Sequence, residues 1–161
     1  AKVVTTAGSA EKCAAARKLG ADVAVNYKTE DFVAITKEAT GGAGANLIVA
    51  LVGGDYVDRN YDCAAEQGVI AQVSFTGGPK ATANFANLMR KRLVHTGSTL
   101  RPRTIAEKAA IALGIEEKVW PLVAAGRIKP VIDSTFPLAK ASDAHARMET
   151  SQHIGKIVLT V

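Results

Sequence analysis

The alternation of strands and helices begins with the sequence KVVTTAGSAEKCAAARKLG at residues 2–20. Lys2 to Thr6 is apolar and β-branched, which is typical of a buried strand. Ser9 is a favourable N-cap for a helix over Ala10 to Leu19, and Gly20 suits the left-handed position that follows a helix. We therefore predict a buried strand that leads directly into a helix.

The same alternation continues to the end of the chain. Apolar strands without polar alternation, separated by helices, indicate a parallel sheet that is covered on both faces. Right-handed crossovers then give an α/β fold with a doubly wound, Rossmann-like parallel sheet. Thr29 is the predicted cap of the second helix, and Gly42-Ala43-Gly44 is predicted to be a turn. Further strands are predicted at 23–27, 47–52, 69–75, 93–99, 131–136 and 156–161, and helices at 30–39, 55–66, 85–91, 103–125 (interrupted near Gly114 and Pro121) and 141–149.

Composition narrows the class of protein. The 161 residues are 48% hydrophobic and 22% charged, which excludes wholesale disorder. The longest apolar runs are far shorter than the roughly 18 residues of a membrane helix. Cys13 and Cys63 are the only cysteines and form no C-x-x-C pair, so we expect reduced, packed thiols in a cytoplasmic protein. Because the chain opens inside an apolar β-branched run without Met, we expect it to be part of a longer protein.

A nucleotide site is expected where the strand of residues 2–6 ends. Parallel sheets bind ligands at the carboxyl ends of their strands, and phosphates favour helix N-termini. In dinucleotide-binding units an acid at the end of the second strand holds the ribose 2′-hydroxyl of NAD. The residues after Thr6 include no carboxylate at this strand end, so a 2′-phosphate would be tolerated, and Lys12 could help to bind it. In the alternative interpretation, Ser9 only caps the helix and Lys12 is a solvated surface charge.

Several motifs, in order, carry a family resemblance over nearly all 161 positions. They include Leu19-Gly20-Ala21-Asp22, Val52-Gly53-Gly54, the string from Thr96 to Arg103, and the string from His153 to Leu159. In these the chain resembles the C-terminal half to two-thirds of a zeta-crystallin-type quinone oxidoreductase, within the medium-chain dehydrogenase/reductase superfamily. One departure is Ala50, where the family commonly carries an acid.

The resemblance implies an NADPH-dependent reductase that needs no metal. It places four residues around the adenosine 2′-phosphate, two in a loop whose backbone approaches the cofactor closely, and two in a loop close to the nicotinamide half. Tyr27 could instead pack on the helix, and Phe75 could be a core residue. The acceptor pocket of the family is formed mainly by another domain, so no residue here is assigned a catalytic role. The implied cofactor-binding residues are Gly8, Ser9, Lys12, Tyr27, Val52, Gly53, Phe75 and Thr76.

The resemblance also implies a domain division. Residues 1–126 would be a partial nucleotide-binding domain, and residues 127–161 would rejoin the catalytic domain of the parent. The first strand, its Gly-rich loop and that catalytic domain would lie upstream of Ala1. In the strand order 3-2-1-4-5-6 the first strand is central, so its absence exposes two strand edges, which we expect a rearrangement or another molecule to cover. We further expect the 161 residues alone to be inactive and to bind NADPH weakly.

Three functions remain open at this point. The first is the cofactor-binding part of an NADPH-dependent quinone oxidoreductase, acting on a small quinone or conjugated carbonyl acceptor. The second is an NADPH-dependent enone or enoyl reductase. The third is a non-enzymatic, basic nucleotide- or nucleic-acid-binding module, because the net charge is +5 and basic runs occur at Arg90-Lys91-Arg92 and Arg101-Pro102-Arg103. Only 5% of residues are aromatic and no nucleic-acid motif is present, which argues against the third.

Two further expectations concern assembly and metals. The strand at 93–99 would be the outer strand of the sheet, and we expect a homodimer to form through it. His145, Glu149 and His153 recur every four residues, but the outer pair would be about 12 Å apart on a helix, too far to share one ion. We therefore predict no metal site. His95, in an apolar strand, is expected to be a hydrogen-bonded histidine and not a general base.

Overall fold

The structure is a computed structural model that describes residues 1–161. Strands and α-helices alternate along most of the chain, as the sequence pattern predicts, and a short 3₁₀ helix covers Leu138–Lys140. The strands are β1 (Val4–Ala7), β2 (Val23–Asn26), β3 (Ala45–Ala50), β4 (Ala64–Gln72), β5 (Val94–Gly97), β6 (Ile132–Pro137) and β7 (Lys156–Thr160). The helices are α1 (Ala10–Lys18), α2 (Phe32–Ala39), α3 (Tyr56–Cys63), α4 (Phe85–Arg90), α5 (Ile105–Lys118), α6 (Trp120–Ala124) and α7 (Ala141–Glu149).

Every strand pair is parallel, which confirms the α/β prediction. Residues 1–102 form one compact unit with two sheets, β1–β2 and β3–β4–β5, and residues 103–161 form a second unit with the sheet β6–β7. β1 pairs only with β2, and β3 pairs only with β4, so each has one edge without a strand partner. In the strand order 3-2-1-4-5-6, these are the two edges that would flank the first strand, which we expect upstream of Ala1. That a rearrangement or another molecule covers them stays a prediction, as does the domain boundary at residues 126 and 127.

Helix α1 begins and ends as its sequence predicts. The Ser9 hydroxyl accepts a hydrogen bond from the backbone N–H of Lys12 at 3.2 Å, which satisfies one of the unpaired donors of the first turn. At the other end Gly20 adopts φ +109°, a conformation that suits a residue without a side chain. The helix start therefore lies directly after the carboxyl end of β1.

Two predicted helix boundaries are wrong. The cap of α2 is Asp31 and not Thr29, because the Asp31 carboxylate accepts from Val33 N–H at 3.0 Å. The Glu30 carboxylate accepts instead from Asn26 N–H at 2.7 Å, which holds residues 26–30 in a turn. Helix α3 ends at Cys63 and not at Glu66, because Ala64 to Glu66 belong to β4.

The long helix predicted over residues 103–125 is interrupted at one place. Gly114 lies within α5, and the break falls at Val119, next to Trp120 and Pro121 at the start of α6. Helix α5 opens with a reciprocal pair in which Thr104 and Glu107 cap each other's backbone N–H groups. The predicted interruption near Pro121 is confirmed, and the one near Gly114 is wrong.

The core of the first unit lies between its sheets and helices α2 and α3. Val25 of β2, Phe32 of α2 and Cys63 of α3 form one buried cluster, against which Ile48 of β3 packs. Burial raises the pKa of the Cys63 thiol to about 11, so it stays protonated at neutral pH. Cys13 is also buried and free, which confirms that both cysteines are packed, reduced thiols.

One partly buried ion pair stabilises the second unit. Asp133 of β6 accepts two hydrogen bonds from the Arg147 guanidinium of α7, at 3.0 and 3.1 Å, and a third from Ile154 N–H at 3.0 Å. These bonds, that from Arg147 above all, hold the pKa of Asp133 well below its usual range. The ion pair joins α7, β6 and the turn before β7. Among the helices of the chain, none combines the length and the apolar character that crossing a membrane requires.

Candidate cofactor-binding site

The first part of the candidate site is a corner at the carboxyl ends of β1 and β2. Tyr27 N–H donates to the carbonyl of Ala7 at 3.1 Å, so Gly8 and Tyr27 follow adjacent strand ends. A Cβ on Gly8 would lie 2.8 Å from the Tyr27 hydroxyl oxygen, which is closer than such contacts occur. Glycine at position 8 is therefore what lets the tyrosine ring lie across the turn. The ring remains 43% exposed, so one side of it is open to a ligand.

The N-terminus of α1 completes this corner. Ser9 and Lys12 lie half-buried in its first turn, beside Gly8. The carboxylate of Glu11 accepts hydrogen bonds from its own backbone N–H and from the Ser9 hydroxyl, and these bonds lower the pKa of Glu11. A carboxylate is favoured at the positive end of a helix dipole. Glu11 thus occupies donors that a phosphate group would also use.

The second part consists of the loops that follow β3 and β4. The carbonyl of Leu51 accepts from both the backbone N–H and the hydroxyl of Thr76, at 3.1 and 3.2 Å. The carbonyl of Val52 accepts from Gly77 N–H at 2.7 Å. These bonds extend the pairing of β3 and β4 past the ends of the strands, so the two loops form one surface.

Close backbone packing at Gly53 shapes that surface. Gly53 has φ +73°, and a Cβ there would lie 2.5 Å from the carbonyl oxygen of Gly78 and 2.9 Å from a ring carbon of Phe75. The Phe75 side chain is 53% exposed, so it lies on the loop surface and is not a core residue. The absence of a side chain at Gly53 is what allows the two loops to approach each other.

A buried glutamine supports these loops from below. Gln72, the last residue of β4, is 7% exposed, and its amide nitrogen donates to the carbonyls of Ala50 and Ser74. Its amide oxygen is buried and has no hydrogen-bond partner. Unsatisfied buried acceptors are uncommon in folded proteins, which marks this position as unusual. The sequence signal is a polar residue within the apolar run from Val69 to Val73.

The eight predicted residues therefore form two groups at strand carboxyl ends. Gly8, Ser9, Lys12 and Tyr27 lie together at the first corner, and Val52, Gly53, Phe75 and Thr76 lie together on the paired loops. Their roles in cofactor binding stay predictions. Sequence reasoning did not assign a role to Glu11 or to Gln72, although the first is an acid in a capped helix turn and the second a polar residue in an apolar strand.

His95 is engaged in a hydrogen bond away from either group. Its Nδ1 lies 2.9 Å from the hydroxyl oxygen of Tyr61, and the two rings meet edge to face. Burial, and then the charge of Asp58, raise the pKa of Tyr61, which therefore remains a neutral partner. The prediction that His95 is a hydrogen-bonded histidine is confirmed.

Comparison with known proteins defines the family. The profile of the zinc-binding dehydrogenase family matches residues 19–159, and the chain belongs to this family. It is 30% identical over 164 residues to a 2-haloacrylate reductase from a Burkholderia species, covering 99% of this chain and 48% of that protein. It is 29% identical over 161 residues to quinone oxidoreductase 1 of Escherichia coli strain K12, covering 99% of this chain and 49% of that protein.

A solved structure extends the comparison to the fold. The crystal structure of Escherichia coli quinone oxidoreductase complexed with NADPH superimposes with a TM-score of 0.81 at 29% identity, covering 99% of this chain and 49% of that one. The Rossmann-like fold and the resemblance to quinone oxidoreductases are thereby confirmed. The chain spans about half the length of the curated relatives that it matches.

The residues of this chain do not fit the zinc site that the family's name implies. Among residues 1–161, no three His, Cys, Asp or Glu side chains come together in a way that could hold a metal ion. Both thiols are buried, and the Cys63 thiol is held protonated, whereas zinc is bound by thiolate. That the protein needs no metal stays a prediction, and no chemistry is assigned to zinc here.

Proposed function

We propose that this chain is the cofactor-binding part of an NADPH-dependent quinone oxidoreductase. The observation that carries the proposal is the corner formed by Gly8, Ser9, Lys12 and Tyr27 at the start of α1. A strand end without a carboxylate, an open tyrosine face and a helix N-terminus together suit an adenosine that carries a 2′-phosphate. The likeness over the whole chain to a quinone oxidoreductase complexed with NADPH supports the assignment.

The side chain of Glu11 affects how the adenosine 2′-phosphate would bind at the start of α1. Its carboxylate bonds to the Ser9 hydroxyl and to its own N–H, so we expect it to compete with an arriving phosphate for these donors. Lys12, one residue further along, supplies a positive charge for the phosphate. The first turn of α1 is therefore expected to rearrange when the cofactor binds.

The paired loops after β3 and β4 would hold the nicotinamide half. A reduced nicotinamide supplies a hydride to an electron-poor acceptor, and the protein positions the two groups. Gly53 allows close backbone approach, and Phe75 offers an exposed ring that excludes water from one side of the cofactor. Gln72 keeps the loops in register through its bonds to the carbonyls of Ala50 and Ser74.

A second candidate is reduction of an activated carbon–carbon double bond. The similarity to a 2-haloacrylate reductase, at 30% identity over 99% of this chain, is the observation that favours it. The same cofactor half-site would serve, because the hydride donor is unchanged and only the acceptor differs. Steady-state assays of the full-length protein with a 1,4-benzoquinone and with 2-chloroacrylate separate the two candidates.

The proposed assembly is a homodimer formed through β5. All residues of this strand, Val94–Gly97, are exposed, and β5 pairs only with β4. Ser98 N–H donates to the carbonyl of Gln72, so alternation along the strand directs the N–H of Gly97 toward the open edge. An edge of this kind is suited to symmetric pairing with a second copy.

Ligand titrations test the cofactor proposal on this chain directly. Adenosine 2′,5′-bisphosphate and 5′-AMP differ only in the 2′-phosphate, and the first should bind more tightly. Lys12→Gln should weaken its binding by roughly three- to tenfold, as expected for loss of one charge-assisted hydrogen bond, and leave 5′-AMP unchanged. Lys18→Gln, in the last turn of the same helix, is the matched control. Equal affinity for the two nucleotides, or NADH preferred over NADPH by the full-length protein, contradicts the proposal.

A further inference from the structure

Two sequence motifs that the proposed function does not use lie close together at the amino ends of the β3–β4–β5 strands. This end of the sheet is opposite the candidate cofactor loops. The glycine-rich turn at residues 41–44 precedes β3, and the basic run Arg90-Lys91-Arg92 precedes β5. Between them lies a cleft of about 490 Å³, which we call the amino-edge cleft. Its walls include Lys37, Gly42, Ala43, Glu66, Arg90 and Lys91. The six residues of β3 separate this cleft from the cofactor loops, a distance of roughly 15–20 Å at about 3.3 Å per residue.

Positive charge dominates the amino-edge cleft. Lys37, Arg90 and Lys91 line it, and Glu66 is the one carboxylate among the lining residues. The Glu66 carboxylate is already paired with the Arg92 guanidinium. Lys37 and Arg90 form no ion pair, and Asp62 is the carboxylate whose charge acts on Lys91, so the cleft carries an excess of positive charge.

Three hydrogen bonds hold the Lys91 side chain in position beside the amino-edge cleft. Its ammonium group donates to the carbonyls of Tyr61, Asp62 and Ala64, each at 2.9 Å, and so closes the C-terminal end of α3. Burial, and then the positive charge of Lys37, lower the pKa of Lys91. The charge of Lys37 thus acts on Lys91 against the opposite effect of Asp62, and a bound anion would relieve the repulsion between the two ammonium groups.

The glycine-rich turn, on the other side of the amino-edge cleft from the basic run, has open space beside its backbone. Gly41 and Gly42 have φ +63° and +89°, and a Cβ at either position would meet no atom within 4 Å. The turn therefore leaves room for a ligand on the side of the missing side chains. It adds no free backbone donor, because the N–H groups of Gly41, Gly42 and Ala43 already donate to carbonyls of residues 37–40. Thr40 holds the turn in shape, because its hydroxyl accepts from Gly44 N–H at 2.8 Å.

We propose that the amino-edge cleft binds a small molecule that carries a diphosphate group. Two adjacent phosphates present several anionic oxygens, which matches the separate cations Lys37 and Arg90 better than a single carboxylate does. The volume lies within the usual range for small-molecule sites, about 300–1,000 Å³. A nucleic acid strand is disfavoured because no aromatic residue lines the cleft to stack on a base.

Inorganic pyrophosphate is the probe for a first test on this chain. Amide signals in ¹H–¹⁵N spectra should shift for residues 40–44 and 90–92 during a titration at constant ionic strength. The double variant Lys37→Gln, Arg90→Gln should weaken binding by roughly tenfold, the effect of removing two exposed charge-assisted contacts. Lys80→Gln, Lys118→Gln makes the same change in net charge at exposed positions outside the cleft and should leave the affinity unchanged.

Several results would overturn the proposal. Shifts confined to the first turn of α1 would show that pyrophosphate uses only the proposed cofactor corner. Equal weakening by the two double variants would show a general charge effect without a site. Binding of a single-stranded oligonucleotide at residues 40–44 and 90–92, with no response to pyrophosphate, would assign the cleft to nucleic acid. If the cleft variant does not fold, the location of the wild-type shifts still tests the proposal, because shifts at residues 40–44 and 90–92 support it and shifts confined to the first turn of α1 contradict it.

Discussion

Replacement of Gly53 by alanine should destabilise the chain more than replacement of another glycine with a similar backbone conformation. Gly53 combines φ +73° with a carbonyl oxygen, that of Gly78, 2.5 Å from where a Cβ would be placed. Gly41 has φ +63° but no atom within 4 Å of the corresponding position. Gly41→Ala is therefore the matched control, because it introduces backbone strain without a steric clash.

The expected magnitudes follow from these two contributions. A residue with a Cβ in the left-handed region costs about 1–2 kcal/mol, so Gly41→Ala should lower the free energy of unfolding by about that amount. Gly53→Ala adds the displacement of a backbone carbonyl and of the Phe75 ring, for which overpacking gives about 1–3 kcal/mol more. The total for Gly53→Ala is about 2–5 kcal/mol, a large part of the roughly 5–15 kcal/mol of a typical domain.

Urea denaturation, followed by circular dichroism, measures the two variants against the unmodified chain. A ligand titration adds a second readout, since the clash lies in the loops assigned to the nicotinamide half of the cofactor. Gly53→Ala should weaken the binding of NADPH while Gly41→Ala does not. If the two substitutions lower the free energy of unfolding equally, Gly53 has no steric role and our account of the paired loops is wrong.

Three further predictions concern other parts of the chain. Glu11→Gln should raise the affinity for adenosine 2′,5′-bisphosphate by roughly two- to fivefold, the effect of one charge at a helix N-terminus, and leave 5′-AMP unchanged in calorimetric titrations. No change would mean that Glu11 does not compete with the phosphate. Asp133 has a lowered pKa, so the stability that it contributes is present above the usual carboxyl pKa, near 3.9, and is lost as the pH falls below it. Asp133→Asn should therefore lower the urea midpoint at pH 7 more than at pH 3, whereas equal losses would show that the ion pair with Arg147 does not stabilise the fold. Gly97→Pro removes a donor from the open edge of β5 and should convert the dimer of the full-length protein to a monomer in light scattering, and an unchanged mass would place the interface elsewhere.

Local signals in the sequence were sufficient for most of the fold. Ser9 and Gly20 bound α1 because capping depends on residues that are neighbours along the chain. The predicted strands overlap all seven observed ones because apolar β-branched runs favour strands. The expected cover on both faces is wrong for β3 and β5, because half of the residues of β3 and all of those of β5 are exposed. The Gly42-Ala43-Gly44 turn was likewise evident from residues that favour left-handed conformations.

Boundaries that depend on distant partners could not be predicted in this way. Ala64, Ala65 and Glu66 favour a helix by local propensity, yet they lie in β4. Ala64 aligns with Ala45 of β3, whereas the next aligned pair is Leu47 with Val69, so β4 accommodates extra residues in an irregularity where Gln67 has φ +59°. Pairing with β3, which is remote in sequence, thus overrides local preference.

In the candidate site, too, some features could be predicted from the sequence and others depend on contacts with distant residues. Positions such as Gly8 and Gly53 were identified by resemblance, and the structure supplies the physical reason, since a Cβ would collide with Tyr27 or Gly78. The hydrogen bonds of the Glu11 carboxylate could not be predicted, because they depend on which donors the side chain reaches. The unpartnered oxygen of Gln72 depends likewise on the neighbours of a buried residue.

The ammonium group of Lys91 also bears on the order in which the chain can mature during synthesis. It closes α3 by holding carbonyls that lie 27 to 30 positions earlier. When the last turn of α3 leaves the ribosome, its capping charge has not yet emerged, because Lys91 follows 27 to 30 positions behind. The junction between α3 and β4 is therefore completed only after α4 has emerged and docked, so these elements mature as a single cotranslational unit.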